Sequence, residues 1–155
     1  MKIISGGQTG ADRAALDVAI ELGIEYSGSI PKGKLAEDGI IDLEKYPNLQ
    51  ELKQGNYLAR TRKNVEDSDA TLAITDGKLT GGTKKTIEIA KECCKPYLYI
   101  NLKTVTNEEA VREILEWLNK FKPNILNVAG PRESGSPGIY LKVYDVLLTV
   151  FQVHK

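Results

Sequence analysis

Short apolar runs alternate along the chain with stretches whose apolar residues recur at helical spacing. Ile3-Ile4 reads as a buried strand, and Ala14, Ala15, Leu16, Val18, Ala19, Ile20 and Leu22 give the wide apolar face of a helix. Gly23 ends that helix as a left-handed cap, and Ile24 to Ile30 forms a second strand in which Gly28 marks a close backbone approach. Periodicity is then lost from Pro31 to Gly55, a loop that reads either as a lid or rim over the first glycine turn or as a solvated excursion. Asn56 to Asp67 forms a helix with Arg60 and Asn64 on one face, and Ala70 to Ile74 a buried strand. Ile87, Ile89, Ala90 and Cys93 carry the next helix, which stops before Pro96, and Tyr97 to Ile100 is a strand. Thr106 and Glu109 form a capping box for a helix with Val111, Ile114, Leu115 and Leu118 on its core face, where Trp117 and Phe121 complete the packing. Ile125 to Ala129 is the last strand. Ser136 as N-cap and Pro137 at the first helical position open a final helix built on Ile139, Val143, Val146, Leu147 and Val150.

Strands that are apolar on both faces and alternate with helices predict an α/β domain with a parallel sheet covered on both sides. Three of the strands run into glycine-rich loops: Gly6–Asp12, Asp76–Thr83 and Gly130–Gly138. All three therefore stand on the carboxyl edge of the sheet, where open α/β sheets bind ligands. In the first, Gly6, Gly7 and Gly10 allow the backbone close to a ligand, and a helix start adds free N–H groups and a positive dipole end. Thr9 and Asp12 have the spacing of a capping pair, which places the helix start at Thr9. A plain βα connector would not need three glycines together with Gln8, Thr9 and Asp12, so a phosphate-type site is preferred. The stretch is neither a P-loop nor a dinucleotide fingerprint.

Charge and cysteine content narrow the classes. Lys+Arg and Asp+Glu both number 21 in 155 residues, so no net basic field draws in nucleic acid or an anionic membrane. No apolar run is long enough to span a bilayer and the first twenty residues lack a signal-peptide pattern, which predicts a cytoplasmic location. Cys93 and Cys94 are adjacent and His154 is the sole histidine, so neither a disulfide framework, a zinc site nor a histidine mechanism is expected.

With these loops in view the chain resembles the molybdenum cofactor carrier family. The resemblance is carried by Gly6-Gly7-Gln8-Thr9-Gly10-Ala11-Asp12, Pro31-Lys32-Gly33-Lys34 with Ala36-Glu37-Asp38-Gly39, and Arg60-Thr61 with Asn64-Val65. Asp67 to Thr71, Gly81-Gly82-Thr83 with Thr86, and Asn127 to Ser134 extend it. It implies a single Rossmann-like domain that binds a pterin phosphate bearing molybdenum as cargo, without a required reaction. The run from Arg62-Lys63 to Gly82-Thr83 is also similar to cytokinin-activating nucleotide phosphoribohydrolases. In those enzymes a catalytic glutamate follows the glycine motif, and here Thr86 stands at its position. Glu88, roughly 200° around the helix, cannot replace it. A hydroxyl is a poor base for glycoside cleavage, so this departure favours a binder over a hydrolase. The same resemblance suggests a circular permutation and a five-stranded parallel sheet of order 2-1-5-3-4 along the chain, with helices on both faces.

Candidate roles follow. Gly6, Gly7, Gly10 and Gly82 bring backbone to the phosphate, with Gly81, Gly130, Gln8 and Asn64 completing the motifs, while Thr9, Thr83 and Ser134 offer hydroxyls and Thr86 a further hydroxyl to the ligand. Arg132 is the candidate bidentate anion clamp, or else a salt-bridge partner of Glu133. Lys32 and Arg60 are secondary anion partners. Asp12 orients Arg132 or caps its helix, Asp76 accepts from a pterin or purine edge or starts a turn, and Tyr57 stacks on a ring or finishes the rim. No residue is assigned to catalysis or to a metal. The competing functions are a nucleotide N-glycosidase, which needs Glu37, Asp38, Asp12 or Asp76 facing the crevice, and a nucleotide-sensing module. Homo-oligomerisation through helix faces is expected by analogy with the relatives.

Overall fold

The computed structural model describes residues 1–154. Its strands are β1 (Lys2–Ile4), β2 (Tyr26–Ile30), β3 (Leu35–Ala36), β4 (Gly39–Ile40), β5 (Leu49–Glu51), β6 (Ala70–Thr75), β7 (Tyr97–Asn101) and β8 (Ile125–Ala129). Its helices are α1 (Ala11–Glu21), α2 (Tyr57–Glu66), α3 (Gly81–Glu92), α4 (Asn107–Phe121) and α5 (Ile139–Val153). The main sheet is six-stranded in the order β5-β2-β1-β8-β6-β7, and every recorded pairing in it is parallel. The five strands expected from sequence keep their expected order. The sixth, β5, adds to the edge beside β2 and comes from the segment read as irregular, which also folds the antiparallel pair β3-β4. Three-residue β5 carries one buried side chain, Leu49, and so shows no usable alternation.

Helices α1, α4 and α5 pack together on one face, and α2 and α3 on the other. The main core lies under the first group, around Leu16, Ile114, Leu118, Leu147 and the buried strands, while Val65, Ile89 and Ala90 form a small cluster between α2 and α3. The chain winds one way from β1 to β2 and the other way from β6 to β7, and β8 fills the gap between the halves. This reversal is the switch point at which doubly wound sheets open a crevice.

Local chemistry explains most boundaries. Gly23 is left-handed, with Gly23 N–H on Ile20 O and Ile24 N–H on Ala19 O, a Schellman ending for α1. Thr106 and Glu109 cap α4 reciprocally, as the spacing requires. Gly28 lies against Ser5 so closely that a Cβ there would overlap the Ser5 carbonyl oxygen. Other expectations are corrected. Helix α1 begins at Ala11 after Gly10, with no side-chain cap from Thr9. Helix α5 begins at Ile139 after Gly138, because the Ser136-Pro137 stretch is spent on a turn closed by Ile139 N–H on Ser136 O. Phe121 is 43% exposed at the end of α4, while Trp117 is buried. Among the described residues no helix is long and apolar enough to cross a membrane.

Candidate functional site

The loops after β1, β8 and β6 meet in one crevice of about 270 Å³, closed on its other side by α2. The β1 loop supplies Gly6, Gln8 and Asp12; the β8 loop supplies Gly130, Pro131, Arg132 and Gly135; the β6 loop and α3 supply Thr80, Gly81, Gly82, Thr83 and Thr86; α2 supplies Arg60, Thr61 and Asn64.

The α3 end is open. Its N-cap, Thr80, makes no side-chain hydrogen bond to the helix, and a Cβ at Gly81 or Gly82 would meet nothing within 4 Å. The first amides of a twelve-residue helix thus face the crevice with the positive end of the helix dipole. Thr83 is buried beside them. The Thr86 hydroxyl donates to Gly82 O at 2.8 Å, so toward the crevice it is left as an acceptor.

Arg132 lines the crevice from the β8 loop and makes no ion pair within 4.0 Å among the described residues. Its expected alternative partner is engaged elsewhere, since Glu133 accepts from Gly138 N–H at 3.1 Å and Tyr140 N–H at 3.3 Å at the start of α5. The guanidinium of Arg132 lies 5.7 Å from the Tyr57 ring and that of Arg60 lies 5.5 Å from the same ring, within cation–π range. Tyr57 therefore sits at the rim as a bridge between two arginines.

Arg60 is held by the β1 loop. Its Nη1 donates to Gly6 O at 2.8 Å and lies 3.5 Å from Asp12 Oδ2. A Cβ at Gly6 would overlap the Arg60 side chain and push its guanidinium out of this position. Asp12 orients Arg60, not Arg132, and its carboxylate also accepts Gln8 N–H at 3.2 Å. Burial pushes the Asp12 carboxyl up to about 6, against the opposing pull of Arg60, the Gln8 amide and Arg13.

Several expected contributors stand behind the crevice. Thr9 Oγ1 accepts Glu133 N–H at 3.1 Å and donates to Glu37 Oε1. Ser134 gives its N–H to Glu37 Oε1 at 3.1 Å and its hydroxyl to Glu37 Oε2. Glu37, at the β3-β4 turn, thereby clasps the first and third glycine loops together, and these hydroxyls hold its carboxyl below the usual range. Asp38 beside it takes a two-pronged contact from Arg13. The β3-β4 pair is thus a buttress behind the β1 loop, and neither Glu37 nor Asp38 lines the crevice. Gly7 turns its open side toward Ile41, Ile30 and Leu49, and a Cβ on Gly10 would overlap Pro131 O. Lys32 is exposed outside the crevice, and Asp76 is paired with Lys142 of α5. Asn64 spends its amide on the Ser29 main chain, accepting from N–H at 2.8 Å and donating to O at 3.1 Å, which fixes α2 against β2.

Thr61, Thr80 and Asn127 also line the crevice; all three stand in the motifs and loops quoted from sequence, but none was given a role in the site. Asn127 had a visible signal: a polar residue in the middle of a central strand buried on both faces, with Nδ2 3.4 Å from Thr71 Oγ1. Among the described residues no group of three or more His, Cys, Asp or Glu side chains is gathered to hold a metal ion. Cys93 and Cys94 follow the far end of α3, about 18 Å from Gly81 at helical rise.

Residues 3–151 match the model of the circularly permutated YpsA SLOG family. A crystal structure from Syntrophus aciditrophicus SB, of a protein named "putative molybdenum carrier protein", is 47% identical, covers 97% of this chain and 93% of its own, and superposes with a TM-score of 0.92. None of the curated proteins matches the chain.

Proposed function

The chain belongs to the circularly permuted YpsA SLOG family, and from that premise we propose that it is a carrier that binds a phosphorylated small anion in the crevice without turnover. The observation that carries this reading is the open amide end of α3, at Gly81, Gly82 and Thr83, in the same crevice as Arg132, which makes no ion pair within 4.0 Å among the described residues. Glycine amides and a helix dipole suit the tetrahedral oxygens of a phosphate, and a guanidinium can take two of them at once. The name of the Syntrophus aciditrophicus protein supports molybdenum as part of the cargo. The resemblance to molybdenum cofactor carriers supports a pterin phosphate as its vehicle. Such a cargo fits the residues present: its phosphate would lie on the α3 amides and Arg132, and its ring toward the β1 loop. The cargo brings the metal, and this chain's residues bind and orient the phosphate and shield the ring from water.

The experiment is mild purification from cells supplied with molybdate, followed by metal analysis and mass spectrometry of what stays bound. Molybdenum and a phosphorylated pterin in near-equal amounts to protein support the proposal; a protein that retains neither and binds neither molybdate nor phosphate esters in titration refutes it. One observation favours a second reading, cleavage of a nucleotide N-glycosidic bond. Asp12 is the one carboxylate lining the crevice, and its raised value suits acid–base work near neutrality. Release of free base from nucleoside monophosphates, abolished by Asp12→Asn, would establish that reading in place of the carrier. We also propose that copies associate through α1 and α5, where Ile20 and Leu141 are exposed; sedimentation of the chain and of Leu141→Glu tests it.

A further inference from the structure

Gln8 is 5% exposed and lines the crevice, and its Nε2 is the one buried side-chain nitrogen or oxygen without a partner among the described residues. Its orientation is fixed. Oε1 accepts two main-chain donors, Thr9 N–H at 3.0 Å and Glu37 N–H at 2.9 Å. A flipped amide would turn its NH2 on both donors, so Nε2 points away from them as a donor only. A buried donor without a protein partner costs stability unless water or a ligand completes it, and here the side chain that carries it lines the crevice.

The two ends of the crevice differ in charge. On the β1 side Arg60 and Asp12 offset one another at 3.5 Å, leaving a neutral, donor-lined end. On the β6 side the α3 amides face no carboxylate, and Arg132, from the β8 loop between the two ends, makes no ion pair within 4.0 Å among the described residues. The strands feeding these ends, β1 and β6, have β8 between them, so their tips stand about 10 Å apart, two strand spacings. A free oxyanion spans one end only.

We infer that Gln8 is a specificity-determining residue that donates to a neutral ring acceptor, a carbonyl oxygen or an unprotonated ring nitrogen, on a ligand whose phosphate sits at the α3 end. This rests on the carrier reading for the phosphate and adds the polarity of binding and the chemistry read at the far end. Glu37 is the positioning residue: its carboxylate fixes the β3-β4 turn to both glycine loops, and its N–H sets the Gln8 amide.

The test is calorimetric titration of the full chain at mildly alkaline pH with ribose 5-phosphate and with GMP, whose ring carries the same amino–oxo pyrimidine edge as a pterin. The native chain is expected to bind GMP about tenfold tighter than ribose 5-phosphate. Gln8→Glu keeps an oxygen for the two N–H donors but replaces the Nε2 donor by an acceptor, and Gln8→Met removes the donor without charge while also losing the oxygen that holds Thr9 and Glu37 N–H. Both variants are expected to bring the two affinities together, with urea unfolding midpoints close to the native one showing that they are folded. Equal affinities in the native chain, or a preference for GMP that survives both substitutions, overturns the assignment of Gln8 and leaves the phosphate site standing. Failure of the native chain to bind either ester overturns both.

Discussion

Gly10 and Gly82 lie in two of the converging loops, and the structure gives them opposite tasks. Gly10 has φ +80°, and a Cβ there would overlap Pro131 O and come to 2.9 Å from Glu133 N and from the Ile139 side chain. Gly10→Ala therefore meets three costs. An alanine at φ +80° and ψ −129°, a sparsely populated conformation outside the αL region, costs about 1–2 kcal/mol. Forcing the first and third loops apart costs about 1–3 kcal/mol, as overpacking does. Losing the bond from Ala11 N–H to Pro131 O, 3.2 Å long, costs about 1 kcal/mol more. The sum is about 4 kcal/mol, equivalent to a fall of order 10 °C in Tm for a chain of this size. Gly82 has nothing within 4 Å of a built Cβ and sits in the first turn of α3, so Gly82→Ala should hold stability or raise it by up to about 1 kcal/mol. The added methyl projects where a phosphate oxygen would meet the α3 amides. Loss of one or two charge-assisted bonds weakens binding by about tenfold to a hundredfold. Urea unfolding followed by Trp117, the sole tryptophan and a buried one, measures the first quantity, and titration with a phosphate ester the second. The reasoning fails if Gly10→Ala unfolds at the native urea midpoint, or if Gly82→Ala binds the ester as tightly as the native chain.

The buried carboxyl of Asp12 makes stability depend on pH. Its folded value, about 6, lies above the unfolded 3.8, so the folded chain holds this proton more tightly. Stability should fall as pH rises from about 4 to about 6, by at most about 3 kcal/mol, and Asp12→Asn should flatten that decline in urea midpoints; parallel profiles would refute it. Lys95 Nζ reaches three carbonyls at the end of α2, Val65 O at 3.1 Å, Glu66 O at 2.5 Å and Ser68 O at 2.6 Å. Lys95→Met should cost about 1–2 kcal/mol in urea unfolding and leave ester binding unchanged. Glu37→Ala should release the clasp on Thr9 and Ser134, seen as faster amide exchange in both glycine loops and a smaller preference for GMP over ribose 5-phosphate; protection equal to the native chain would count against the clasp.

The parts of this architecture that repeat in sequence were legible there. Apolar runs bounded by glycine or proline located β1, β2, β6, β7 and β8, and the alternation with helices implied a parallel sheet. Strand β5 and the β3-β4 pair were not legible, because none of them carries more than one buried residue and so none forms an apolar run; they exist through their partners, Leu49 opposite Gly28 and Leu35 opposite Ile40. The crevice shows a second limit. Glycine-rich composition marked the three loops, but not which groups face inward. Thr9 and Ser134 have the chemistry of phosphate ligands, yet both turn toward Glu37, whose distance along the chain hides the clasp. Asp12 and Arg60 are likewise 48 residues apart, and only the packing of α2 against β2 through Asn64 and Ser29 brings them together.

That packing bears on what the crevice can do with a ligand. Arg60 is fixed by Gly6 O and shares its charge with Asp12, so a second anion near it must compete with a carboxylate already in place. Arg132 has no carboxylate within 4.0 Å among the described residues, and Glu37, whose charge it feels, is already held by Thr9 and Ser134. A ligand with negative charge at one end and a neutral ring at the other satisfies both arginines without leaving Asp12 unpaired. The reverse orientation would place its phosphate against Asp12 and leave the α3 amides facing a ring. Removing one partner of a buried pair is more costly than keeping it, so the Asp12–Arg60 pair acts to exclude the reversed pose. Asp12→Asn should therefore relax orientation as well as pH dependence. The ring protons of bound GMP, which should show NOE contacts only to the β1 loop in the native chain, should gain contacts to α3 in the variant. An unchanged contact pattern would show that the pair has no part in selecting the pose.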